Sequence, residues 1–218
     1  MFMRRVVLAL LAVAAFLMAA SGAAQSPEDR LFEAIEDGKP LVAEGIVARG
    51  GVKLDARNAE KETPLHRAIE KGFKELAAML VKAGAPVGAR AQNGETPLHY
   101  AALYADPWFV EMLLDAKADP KARNDDGESV LQWAVMTGNP QTALQLLQRG
   151  ADPKVTDMSG NNLLHACADG GYTELARALI GLGVNARERN RAGMRPIDIA
   201  RERGYLEMIK LLEGFEKE

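Results

Sequence analysis

A unit of 33 residues is written five times in succession, and this period constrains the fold more than any other feature of the sequence. The tetrapeptide Thr-Pro-Leu-His at residues 63–66 returns at residues 96–99, and related tetrapeptides follow at residues 129–132, 162–165 and 195–198. A leucine column keeps the same period: Leu80, Leu113, Leu146, Leu179 and Leu212. Repetition at this length predicts a stack of similar units that share one continuous apolar core.

Each copy of the unit predicts two short helices. Thr63 stands before Pro64, and this pair is typical of a helix start because proline at the first helical position loses no helical hydrogen bond. The second helix begins in the same way at residues 106–107 (Asp-Pro) and 139–140 (Asn-Pro). Glycines after the helices supply the left-handed turns that end them. The sequence therefore predicts an all-α fold.

The period and the Thr-Pro-Leu-His start resemble the ankyrin-repeat family over roughly residues 28–214. The tetrapeptides at residues 129–132 and 195–198 depart from the family pattern, but they leave the period intact. The resemblance implies an ankyrin-repeat solenoid of about six stacked helix–turn–helix units, joined by β-turn or hairpin loops, within a domain at residues 25–218. The predicted repeats are a degenerate cap at 28–57, followed by 58–90, 91–123, 124–156, 157–189 and 190–218.

The first 24 residues have a different character and predict a secretory signal peptide. Arg4 and Arg5 precede fifteen residues, 6–20, without a charged or polar side chain, and small residues follow at 21–24. A membrane anchor is the alternative, but a span needs about 20 apolar residues, and this run of fifteen is shorter. We expect export across the inner membrane, with the periplasm as the compartment and no membrane attachment after cleavage. The net charge of −3 becomes −5 when the two arginines are removed, which argues against a nucleic-acid partner.

Three histidines and one cysteine are the obvious chemical candidates. His66, His99 and His165 occupy one column, so each belongs to its own repeat, and stacked helices about 8–10 Å apart hold them too far from each other to share a metal. The resemblance implies that this histidine ties turns together by hydrogen bonds. Cys167 replaces alanine in a small-residue column, which favours inert burial. We expect no catalytic residue, no cofactor and no metal.

The surface is the remaining place for function. The resemblance implies that the turn tips and the exposed part of each first helix line a concave face that contacts partners. Apolar side chains at such positions predict an interaction patch with an acidic rim, and the alternative is ordinary packing between repeats. The candidate partner-binding residues are Leu103, Tyr104, Met136, Met158, Glu95, Asp125, Asp126 and, as a second choice, Trp108. Trp133 is expected to be buried.

An arginine column also follows the period. Its members are Arg57, Arg90, Arg123 and Arg189. Because acidic residues are frequent in the same turns, we expect these arginines to form intramolecular pairs.

These observations predict a monomeric, non-catalytic, exported protein–protein interaction module. It would bind an envelope protein of unknown identity through its concave face and stabilise or inhibit that protein. The alternative hypothesis is a metal-dependent sensor or an enzyme built on a repeat scaffold.

The predicted signal peptide gives the first testable expectation. Cleavage after small residues should leave Gln25 or Ala24 at the mature N-terminus. The intact mass of the exported protein checks this expectation, and a membrane fraction that retains Met1 would contradict it.

Overall fold

The computed structural model describes residues 25–104 and 106–215, and the predicted signal peptide lies outside these ranges. Twelve α-helices in the described ranges form six consecutive pairs. The pairs are α1 (Pro27–Glu36) with α2 (Pro40–Arg49), α3 (Pro64–Glu70) with α4 (Lys74–Lys82), α5 (Pro97–Leu103) with α6 (Pro107–Asp115), α7 (Val130–Met136) with α8 (Pro140–Gln148), α9 (Leu163–Gly170) with α10 (Thr173–Gly181), and α11 (Pro196–Arg203) with α12 (Leu206–Glu213).

The helices begin where the sequence predicts. Helices α6 and α8 start at Pro107 and Pro140, directly after the capping residues Asp106 and Asn139. The side chain of Asp106 accepts a hydrogen bond from the Trp108 N–H at 3.0 Å, and that of Asn139 accepts one from the Thr142 N–H at 3.1 Å. These bonds satisfy amide groups that have no partner inside the first turn of a helix.

The six pairs stack into two layers. The first helices of successive pairs contact one another, and so do the second helices, so that α5 lies between α3 and α7 while α6 lies between α4 and α8. Between the layers lie fully buried leucines: Leu65, Leu98, Leu131, Leu164, Leu80, Leu113, Leu146 and Leu179. A column of small side chains, with Ala101 and Ala134 among its members, is also fully buried. The predicted all-α solenoid of six units is confirmed.

A compact turn precedes each first helix from the second pair onward, and we call these turns the turn tips. They comprise residues 58–62, 91–95, 124–128, 157–161 and 190–194. Within the described ranges, the bridges of extended backbone outside the helices are Arg123–Ser129 and Thr156–Asn162, which close two of these turns. Neighbouring tips also form hydrogen bonds with each other. For example, the Asp125 N–H donates to the Asn93 carbonyl at 2.9 Å.

The degenerate first pair accommodates one extra residue in its second helix. Helix α2 has ten residues whereas α4 has nine. The chain then turns through two successive glycines with positive φ, Gly50 at 73° and Gly51 at 78°. Only glycine adopts such angles without steric cost, and these two residues bring the chain back to the register of the stack.

Two lysines occupy positions where the other repeats place glycine. The column that ends the second helices contains Gly84, Gly150 and Gly183 with φ between 80° and 92°, and Lys117 occupies the same column with φ 69°. Lys61 similarly replaces the turn-tip glycine with φ 59°. A side chain with a Cβ is strained at these angles.

The strain at Lys117 predicts a stabilising substitution. Lys117→Gly should raise the free energy of unfolding by about 0.5–1 kcal/mol, because glycine adopts the left-handed conformation without a steric penalty. Urea denaturation measures the change. Lys117→Ala is the matched control, since it removes the charge and retains the Cβ. An equal gain in the free energy of unfolding for both variants would show that the left-handed backbone conformation at Lys117 is not the cause.

Candidate protein-binding site

The histidines fasten each first helix to the next repeat. The Thr63 N–H donates to Nδ1 of His66 at 3.1 Å, so Nε2 carries the proton and donates to the Glu95 carbonyl at 3.3 Å. His99 and His165 repeat this arrangement, and their Nε2 atoms lie 3.4 Å and 3.0 Å from carbonyl oxygens of the next turn tip. The expectation that this column ties turns together is confirmed.

The surroundings of these histidines keep them neutral. Burial lowers the pKa of His66 and of His99 from 6.5 to about 4, although hydrogen bonds to backbone carbonyls oppose the shift. Burial also lowers the pKa of His165. Because both ring nitrogens are already engaged, these side chains hold the stack together and present no open ligand position.

Other residues replace the histidine in two repeats and preserve the helix cap. Gln132 accepts the Ser129 N–H through its Oε1 at 2.9 Å. Asp198 accepts the Arg195 N–H through a carboxylate oxygen at 2.9 Å. The cap therefore requires an acceptor three residues into the helix rather than an imidazole.

The arginine column pairs within the molecule, as predicted, but mainly with backbone carbonyls. Arg57 donates to the Arg90 carbonyl at 2.5 Å, and Arg90 donates to the Arg123 carbonyl at 2.9 Å, so each link joins adjacent repeats. Arg189 bonds to the Gly193 carbonyl within its own turn. Arg90 also forms an ion pair with Asp125 at 2.7 Å. The predicted intramolecular pairing is confirmed, but most of the partners are backbone carbonyls and few are carboxylates.

The cysteine lies in the apolar core. Cys167 is fully buried, and burial raises the pKa of its thiol to about 12. A protonated and inaccessible thiol is a poor nucleophile. Within residues 25–104 and 106–215, no group of three or more histidine, cysteine, aspartate or glutamate side chains is arranged to hold a metal ion.

The predicted apolar side chains lie on the exposed side of the first-helix layer. Leu103 is 41% exposed, Tyr104 is 43% exposed and Met136 is 65% exposed. The Thr137 hydroxyl donates to the Ala102 carbonyl at 3.3 Å, which places the C-terminal ends of α5 and α7 side by side. Leu103, Tyr104 and Met136 therefore occupy adjacent ends of two neighbouring helices, and we call these three residues the apolar patch.

Met158 lies away from the apolar patch. It is 71% exposed, but it belongs to the turn tip that precedes α9, whereas the patch lies where α5 and α7 end. A helix of seven residues separates these two ends of the layer by about 11 Å. The acidic candidates lie at the tip end with Met158: Glu95 is half-buried, and Asp125 and Asp126 are exposed. The acids therefore lie at the tip end of the layer, about 11 Å from the patch, instead of surrounding it.

Trp108 lies at the start of α6, close to the end of α5. It is 38% exposed, and the Lys74 ammonium lies 5.7 Å from the centre of its ring. Lys74 also forms an ion pair with Asp106 at 2.7 Å. A cation over the ring contributes about 0.5–1 kcal/mol at an exposed site, which gives this tryptophan a structural role.

Sequence reasoning missed the hydrogen bonds of two half-buried aromatic side chains on the same face. Trp133 packs against the apolar core, as expected, and its indole N–H donates to the Glu128 carboxylate at 2.8 Å. Tyr100, one repeat earlier, donates its hydroxyl to the Glu62 carboxylate. Tyr100 and Trp133 occupy equivalent positions, 33 residues apart. The sequence signal for their orientation is an acidic residue at the end of a turn tip, close enough to accept the hydrogen bond.

This arrangement defines a repeat protein in which a rigid stack presents variable side chains on the first helices and turn tips. The sequence matches the family "Ankyrin repeats (3 copies)" over residues 31–124, 93–157 and 131–217. The chain belongs to the ankyrin-repeat family. Members of this family generally mediate protein–protein interactions, and the fold is typically a non-enzymatic scaffold.

Among solved structures, the fold is similar to the crystal structure of the ankyrin repeat domain of Bcl-3, described as a unique member of the IkappaB protein family. The TM-score is 0.73 and the sequence identity is 29%, over 89% of each chain. No curated protein matches the sequence. Among the helices of the described residues, none is long and apolar enough to cross a membrane.

The neutral histidines His66 and His99 predict that stability falls with acidity. Their folded-state pKa of about 4 lies below the ordinary value of 6.5, so the unfolded chain binds protons first as the pH decreases. These histidines should therefore not lower the free energy of unfolding above pH 6.5. Below that pH the free energy of unfolding should decline towards pH 4. The decline should be on the order of 1 kcal/mol per pH unit for each histidine.

The variant His99→Gln tests this expectation, because Gln132 already forms the same cap in the following repeat. Urea denaturation at about pH 7 and at about pH 4.5 should show a smaller loss of stability in the variant than in the wild type. Equal losses in the two proteins would show that His99 is not held neutral.

Proposed function

We propose that this protein is exported to the periplasm, where it acts as a non-catalytic module that binds an envelope protein. It would act as a monomer and stabilise or inhibit its partner. The three-part layout of residues 1–24 supports export, and the general role of ankyrin repeats supports a protein partner. In this proposal the first-helix layer and turn tips form the concave binding face.

The observation that carries the proposal is the apolar patch. The last positions of the other four first helices are polar or lack a side chain: Glu36 and Asp37, Glu70 and Lys71, Asp169 and Gly170, and Glu202 and Arg203. Only the two central helices place Leu103, Tyr104 and Met136 there. Burying the patch against a partner would remove apolar area from water, which is the main favourable term in protein association.

The charge of the chain is consistent with this class of partner. The predicted mature protein has a net charge of −5, and a nucleic-acid interface normally requires a basic surface. The alternative of a metal-dependent sensor predicts a stability that depends on metal. A thermal melt with and without a chelator distinguishes the two functions, and we expect identical melts.

The double substitution Tyr104→Ala with Met136→Ala tests the proposed site. The partner recovered from the native envelope fraction should bind this variant more weakly by at least about 2 kcal/mol, because aromatic side chains at an interface centre dominate affinity. Titration calorimetry measures the affinity. The melting temperature should change little, since both side chains are substantially exposed.

Two control variants separate binding from folding. Leu113→Ala removes a fully buried side chain and should destabilise the fold by about 2–5 kcal/mol. Leu206→Ala removes an exposed apolar side chain outside the patch and should leave both properties unchanged. A patch variant that melts like Leu113→Ala would identify the patch as packing. A folded patch variant with normal affinity would direct attention to Trp108 instead.

A further inference from the structure

The three central repeats combine acidic residues with an absence of lysine and arginine in one segment of the repeat. This segment comprises the turn tip, the first helix and the short turn that follows it. In residues 91–106, 124–139 and 157–172 these segments contain seven acidic residues and no lysine or arginine. The corresponding segments of the flanking repeats, 58–73 and 190–205, contain three and four basic residues.

Some of these carboxylates already have a basic partner from elsewhere in the fold. Asp106 pairs with Lys74, Asp125 with Arg90 and Asp169 with Arg203, at 2.6–2.7 Å. The ion pairs within the described ranges leave four acids without a lysine or arginine nitrogen within 4.0 Å: Glu95, Asp126, Glu128 and Asp157. None of these four carboxylates forms a direct ion pair with a described lysine or arginine.

The remaining negative charge lies at the tip end of the two helices that carry the apolar patch. The tip acids Glu95, Asp126 and Glu128 precede α5 and α7, the helices whose other ends carry the patch. Arg90 and Arg123 precede the same turns, and their guanidinium groups bond to the carbonyls of Arg123 and Gly127 at the tips. The tips at residues 91–95 and 124–128 therefore hold four carboxylates against these two positive charges, an excess of negative charge. The distance from tip to patch is the length of a seven-residue helix, about 11 Å.

We propose that the partner presents a cationic and apolar protein segment to this face. Apolar side chains of the segment would cover Leu103, Tyr104 and Met136, and lysines or arginines about 11 Å away would meet the tip acids. Charge complementarity selects this partner, because an acidic segment would face an excess of carboxylates at the tips. The inference rests on the proposed function and adds to it the chemistry and the orientation of the bound segment.

A random-peptide display library, panned against the mature protein, tests the chemistry directly. We expect the enriched peptides to carry net positive charge and apolar anchor residues, relative to the input library. Their binding, measured by fluorescence anisotropy, should weaken about tenfold for the variant Glu95→Gln with Asp126→Asn, because the favourable charges are removed. Glu174→Gln, an exposed acid on α10 outside the face, is the matched control and should bind normally.

The outcomes separate this inference from the proposed function. Peptides that lose affinity for Tyr104→Ala with Met136→Ala, but show no positive charge and ignore Glu95→Gln with Asp126→Asn, would overturn the inference and leave the proposed site in place. Peptides that bind the patch variant as well as the wild type would overturn the proposed site and the inference together. A panning without any enriched sequence would also count against the inference.

Discussion

Burial between neighbouring repeats is the constraint on which the whole structure depends. A single pair of short helices cannot cover its own apolar side, so each leucine of the core is buried only when another pair lies against it. Leu98 and Leu131, in adjacent first helices, are both fully buried in this way. Small side chains at Ala101 and Ala134 allow the layers to approach closely.

Polar links set the register in which this burial occurs. The histidine column joins the start of one first helix to the turn tip of the next repeat, as His66 does with the Glu95 carbonyl. The arginine column adds a second connection, as Arg57 does with the Arg90 carbonyl. Because these bonds use backbone acceptors, the side chains at the tips and at the helix ends are left to vary. Substitutions at these positions can therefore change what the surface recognises without weakening the stack.

Most of the fold could be predicted from the sequence, because the period repeats every helix start, glycine turn and buried column several times. The site was harder to predict. Met136 and Met158 were predicted to share one patch, but Met136 ends a first helix, whereas Met158 lies in the turn tip before the next first helix, at the other end of the layer. Trp133 packs against the core as expected, but its N–H bond to Glu128, which satisfies the indole donor, was not predicted. Lys117 shows that a glycine column can tolerate another residue at the cost of strain.

We propose that the first-helix layer, around the apolar patch, contacts a protein partner. Site-specific photo-crosslinking in intact cells tests this claim most directly, with the photoreactive residue at position 104 in the patch or at position 177 on the exposed side of the second-helix layer. We expect position 104 to give one defined crosslinked product that position 177 does not give. The same product from position 177, without a product from position 104, would contradict it.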